Sequence, residues 1–101
     1  MGHVIWTEPA LDDLARIGDF ISNDSPTYAV RVMERILQSV RRLERFPRIG
    51  QVVPEYQQED LREILSGSYR VIYRVRPGAC YVLAVVHGRR DLERAFHPQD
   101  D

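Results

Sequence analysis

The stretch from Leu61 to Leu92, LREILSGSYRVIYRVRPGACYVLAVVHGRRDL, constrains the fold more than any other part of the chain. Tyr69, Val71, Tyr73 and Val75 alternate with Arg70, Ile72, Arg74 and Arg76. Successive residues of a strand point to opposite faces, so one face is apolar and the other is rich in arginine. Leu61 to Leu65 reads as the preceding strand, with Ser66-Gly67-Ser68 as the turn between them. Pro77-Gly78-Ala79 turns the chain again. Cys80 to Val86 is almost wholly apolar, the pattern of a central strand covered on both faces. The basic segment His87-Gly88-Arg89-Arg90-Asp91 closes the region. These patterns predict a small antiparallel sheet with a buried centre and a cationic surface or rim.

The first half is helical by periodicity. His3 to Thr7 has strand composition, Thr7 is placed to cap a helix, and Pro9 suits its first turn. Leu11, Leu14, Ile17 or Gly18, and Ile21 recur at helical spacing, with Phe20 beside them. Asp12, Asp13 and Asp19 fall off that stripe and are expected in water. Ser25-Pro26 starts a second helix. Its apolar stripe is Ala29, Val32, Met33, Ile36, Val40 and Leu43, and Arg31, Arg35, Gln38, Arg42 and Arg45 share another face. Phe46-Pro47 stops it. A connection as short as Asp24-Ser25 makes the two helices an antiparallel hairpin. Each stripe needs a surface to cover, most simply the sheet. Residues 49–60 are the least regular stretch and are expected to form a mobile surface loop. The expected fold is one α+β domain over 1–101. It runs β-α-α-β-β-β, with an N-terminal strand and a helical hairpin packed on a small, mostly antiparallel sheet.

Charge narrows the chemistry. The net charge of −1 hides basic blocks on the second helix and on the sheet. Every basic residue is Arg, so the chain has no lysine amine to serve as a general base or Schiff-base nucleophile. Arg instead offers a planar fork for carboxylate or phosphate and stays protonated. No apolar run approaches the ~20 residues of a membrane span. The lone Cys80 allows no internal disulfide and no metal-ligand spacing, and it reads as a small buried residue. With no secretory pattern at its start, the chain is expected to work in the cytoplasm, without metal or cofactor.

Several segments in order resemble the RelE/ParE toxin superfamily of type II toxin–antitoxin pairs. They are Trp6 in an opening strand, Pro9-Ala10-Leu11-Asp12-Asp13-Leu14, Phe46-Pro47 with Gly50, Leu61-Arg62, Tyr69 to Val75, and Val86 to Asp91. The resemblance implies a small cytoplasmic toxin held inactive by a cognate antitoxin in a hetero-oligomer. It also implies a role in plasmid stabilization. Its branches differ in target: RelE-like members cleave mRNA on the ribosome, and ParE-like members poison DNA gyrase without cutting.

RNA cleavage without metal needs a base, an acid, and cations at the phosphate. The resemblance places the nuclease's strand arginines at Arg70 and at Arg90 or Arg89. Its lysine positions fall at about Leu61 and Glu63, and its terminal Tyr position at about Phe96. Leu cannot stabilise a phosphorane, Glu repels it, and Phe has no proton to give. These departures favour a ParE-like gyrase inhibitor that is not an enzyme. Its target contacts would be Arg70, Arg89, Arg90, Asp91 and the tail beyond. The alternative is a ribosome-dependent endoribonuclease using Arg70 and Arg90 with His87 or His97. A third reading is a non-toxic antitoxin binder. A disordered antitoxin could fold into a cleft beside the hairpin, and the expected contacts are Leu14, Ile17, Ile21, Val32, Ile36 and Val40.

Overall fold

The computed structural model describes residues 2–98. The elements are β1 (His3–Trp6), α1 (Glu8–Ser22), α2 (Pro26–Arg41), β2 (Gln51–Val52), β3 (Leu61–Ser66), β4 (Tyr69–Arg76), β5 (Ala79–His87) and α3 (Leu92–Ala95). A 3₁₀ turn, Arg42–Glu44, ends the helical half. The strands form one sheet in the order β1-β5-β4-β3-β2. Only the β1–β5 pair is parallel, and the chain between these two strands runs through both helices and the other three strands. The α+β architecture expected from the sequence is therefore present, with β2 added at the edge.

Local chemistry explains the elements. Ser25 caps α2 by accepting a hydrogen bond from the Tyr28 N–H at 3.2 Å. Thr7 starts α1 differently: its hydroxyl donates to the Val82 carbonyl at 2.7 Å, tying the helix start to β5. The β3–β4 hairpin turns through Gly67 and Ser68, with Gly67 at φ 57°. That left-handed value suits glycine at the first central position of a two-residue loop. Asp13, expected in water, instead accepts a hydrogen bond from the Val85 N–H at 3.0 Å. Strand β1 pairs only as far as Val82, and the Asp13 carboxylate covers backbone beyond that end.

The sheet has two unlike faces. Towards the hairpin, Leu14, Val32, Ile36 and Val40 pack with Val71, Tyr73, Val82 and Val85 in the main core. Four positions expected at an antitoxin groove are thus buried in the free chain, and Ile17 and Ile21 pack against the same core. The physical reason is that the sheet consumes the amphipathic stripe of each helix. What stays exposed on the hairpin is Leu11, Phe20, Tyr28, Val30 and Leu37. On the other face, Ile72, Ala84 and Val86 pack with Val53, Leu61 and Leu92, with Tyr56 and Phe96 beside them. Strand β5 is covered on both faces, as its apolar run requires.

Residues 49–60, irregular in sequence, make specific contacts with the sheet. Gly50 is buried, and its N–H donates to the Tyr73 hydroxyl at 3.0 Å. A Cβ there would stand 2.3 Å from the Glu63 carbonyl oxygen, so only glycine permits this approach. The segment then pairs as β2 with β3 and sends Glu55, Glu59 and Asp60 back to arginines of the sheet. Among the described residues, no helix is long and apolar enough to cross a membrane.

Candidate functional site

The β3–β4 turn and the adjoining ends of β4 and β5 border an open cleft of about 470 Å³. Arg70, His87 and Arg89, all expected site residues, line it together with Tyr69, Glu55 and Glu63. Arg70 is 9% exposed. Its Nε donates to Glu63 Oε1 at 2.7 Å. Its terminal nitrogens donate to the two oxygens of Glu55 at 2.8 Å each, a bidentate fork. The second terminal nitrogen also contacts Glu63. Glu63 is 4% exposed and takes a further hydrogen bond from Gln51.

Electrostatics follow from these contacts. The bonds from Arg70 hold the Glu55 carboxyl below its ordinary range, against the opposing effect of burial. The carboxylate bonds, Glu55 first, push Arg70 above its already high value. One guanidinium facing two carboxylates leaves this trio at a net charge of −1. An incoming phosphate would meet an occupied donor fork beside two carboxylates, with Arg89 lining the same cleft.

The rim is formed by the strand ends. Tyr69 stacks edge-to-face on His87, with ring centres 5.4 Å apart. Burial raises the Tyr69 phenol above its ordinary value. The His87 Nδ1 accepts a hydrogen bond from the Arg89 N–H at 3.2 Å, so the neutral ring carries its proton on Nε2. Gly88 donates its N–H to the Ser68 carbonyl at 2.7 Å, closing the strand end over the turn. Arg89 and Arg90 are exposed, and neither is ion-paired with a described residue. Asp91 is not paired with them either; its side chain caps α3 by accepting from the Glu93 N–H at 3.1 Å.

Other expected residues lie elsewhere. His97 borders a separate depression with Asp12, Asp13 and Arg16, so it does not join Arg70 and His87. Phe96 packs against Tyr56, and the Tyr56 hydroxyl donates to the Phe96 carbonyl at 2.6 Å. Leu61 is completely buried, facing the smaller core. Cys80 is buried, and burial raises its thiol above the ordinary value. The last three residues of the tail lie outside the described ones.

A second ionic cluster lies along the same face. Arg74 bonds Asp60 at 2.9 Å and Gln58 at 3.2 Å, and Arg76 also bonds Asp60. Sequence reasoning missed Glu55, Gln58 and Asp60 as partners of the sheet arginines. Their contacts span an irregular segment, where neither periodicity nor spacing predicts distance. The Glu63–Arg70 contact did carry a signal. A two-residue turn pairs Ser66 with Tyr69, hence Leu65 with Arg70 and Glu63 with Ile72. Glu63 and Arg70 are then diagonal neighbours on one face.

Comparison with known proteins adds three findings. Residues 4–92 match the family described as the ParE toxin of the type II toxin–antitoxin system, parDE. Two toxins of Caulobacter vibrioides are each 31% identical to this chain. Toxin RelE2 aligns over 89% of this chain and 99% of its own length, and Toxin ParE3 over 91% and 92%. Among solved structures, the fold resembles a chain of the chromosomal ParDE system from P. aeruginosa. The TM-score is 0.72 at 21% identity, with 86% of this chain and 96% of that one covered. It also resembles a chain of the RelBE2 toxin–antitoxin complex from Mycobacterium tuberculosis. There the TM-score is 0.62 at 23% identity, with 85% and 96% covered.

Proposed function

The chain belongs to the ParE toxin family of type II toxin–antitoxin systems, and from that premise we propose that it acts on a protein target, DNA gyrase, rather than by cutting RNA. The observation that carries this reading is the state of Arg70. Buried Glu63 holds its Nε and contacts a terminal nitrogen, and Glu55 takes the rest of the fork, so Arg70 reaches a phosphorane as a cation already neutralised. A metal-independent nuclease stabilises that species with unengaged cations. Leu61 and Phe96 add to the argument. One is buried, the other is packed on Tyr56, and neither can donate a proton.

Target contact falls to the rim and tail: Arg89 and Arg90, exposed beside the cleft, and the segment following Asp91. Arg70 supplies a deeper anchor. A cognate antitoxin neutralises the toxin in a hetero-oligomer. It covers the outer side of the hairpin, where Phe20, Tyr28, Val30 and Leu37 remain exposed. Binding of this kind stabilises the toxin by mass action. The setting is the cytoplasm, where gyrase works, and maintenance of a replicon such as a plasmid is the physiological role.

The test is gyrase supercoiling in the presence of purified toxin. Inhibition that is relieved by adding the antitoxin is expected. Unchanged supercoiling at saturating toxin refutes the proposal.

A further inference from the structure

The bidentate grip of Glu55 on Arg70 has the form of a ligand complex made within one chain. Both oxygens of one carboxylate meet the two terminal nitrogens of one guanidinium at 2.8 Å, at the edge of an open cleft. We propose that Glu55 is an internal stand-in for an acidic side chain of the toxin's protein target, and that an Asp or Glu of that target takes its place on Arg70. The inference rests on the reading that the target is a protein.

Three features make the exchange feasible. Arg70 has a second, independent anchor. Glu63 holds Nε from a buried position on β3, so the fork stays aimed into the cleft when Glu55 leaves. The backbone carrying Glu55 need not move. Val53 on one side is completely buried and accepts hydrogen bonds from the Tyr56 and Gln57 N–H groups. Tyr56 on the other side is fixed to the Phe96 carbonyl. Rotation of the Glu55 side chain alone, which is 29% exposed, releases the fork. Finally, Arg89 lines the same cleft and is not ion-paired with a described residue, so an arriving acidic side chain meets a second cation.

The remaining charges select the ligand class. With Glu55 rotated away, Arg70 and Glu63 balance, and Arg89 leaves a small positive excess. One planar carboxylate matches that excess and the planar fork. A nucleic-acid strand carries several phosphates, more negative charge than the single excess cation beside the Arg70–Glu63 pair balances.

The experiment compares wild type with Glu55→Gln and Glu55→Ala, both of which keep the Arg70–Glu63 pair. Acetate is titrated into the free toxin while the Arg70 Nε–H resonance is followed by NMR. Inorganic phosphate and a short RNA oligonucleotide form parallel titrations. Acetate is expected to bind both variants at least about tenfold more tightly than wild type, a difference of about 1.4 kcal/mol. Equal or weaker acetate binding in the variants overturns the inference. Phosphate or RNA binding more tightly than acetate overturns the carboxylate assignment. Supercoiling assays run beside these titrations separate the two proposals. Gained acetate affinity with no gyrase inhibition by wild type or variants refutes the gyrase target and supports the role of Glu55, whereas variants that lose an inhibition the wild type shows overturn that role. Variants that inhibit gyrase at a lower concentration than wild type support both.

Discussion

Strand β4 serves two regions with opposite physics. Tyr69, Val71, Tyr73 and Val75 look towards the helices and join an apolar core. Arg70, Arg74 and Arg76 look the other way, into carboxylates supplied by β3 and the segment before it. The helix side is held by area and packing, which tolerate imprecision. The arginine side is held by matched charges, where loss of one partner strands the other. The functional residues lie at the edge of the second region.

The largest effect should come from breaking the charged region at its centre. Arg70→Ala leaves Glu63 buried without its cation and should cost about 3–5 kcal/mol in urea unfolding. A joint Arg70→Met and Glu63→Leu replacement should recover much of that loss. Failure to recover would mean the pair contributes more than mutual neutralisation. On the helix side, Ile36 is completely buried. Ile36→Ala should cost about 2–5 kcal/mol, the range of a cavity in a packed core. Tyr73→Phe removes the acceptor for the buried Gly50 N–H, for an expected loss of about 1–3 kcal/mol. Thermal melts would read all three.

Acid separates the regions further. The bonds from Arg70 hold Glu55 below its ordinary 4.5. For Asp60, burial pushes upward, but the Arg76 bond and the charges of Arg74 and Arg76 outweigh it, leaving a value below 3.8. Both groups bind protons less readily folded than unfolded. The stability they contribute is complete above those ordinary values and is lost as pH falls through the lower folded ones. The urea midpoint should drop as pH falls below the ordinary values of 4.5 and 3.8, and Glu55→Gln should flatten the drop. Equal slopes for the two proteins would remove Glu55 from the account. The smallest effect belongs to the exposed Arg48–Glu59 pair at 3.2 Å, where Arg48→Ala should cost no more than about 1 kcal/mol.

The helices and long strands were legible because their signals are local. The alternation from Tyr69 to Arg76 assigns its faces correctly, and Ser25-Pro26 marks the start of α2. Strand β2 has only two residues, too few for any period, and it depends on Gly50 lying against Glu63. The helix stripes were legible as apolar and as packing on the sheet, where Leu14, Val32, Ile36 and Val40 are found; that burial leaves them little exposed surface in the free chain. Arg70, His87 and Arg89 were singled out from sequence and do share a cleft. What surrounds Arg70 was not legible, because Glu55 reaches it across an irregular connection. That neighbour changes the chemistry from an open cation to a closed ion pair.

Primer extension on translated mRNA, after toxin induction without antitoxin, tests most directly whether the arginine region is closed to RNA. Uninterrupted extension products, identical with and without toxin, are the predicted result. Toxin-dependent stops within coding sequence that vanish in an Arg70→Lys variant would contradict the account.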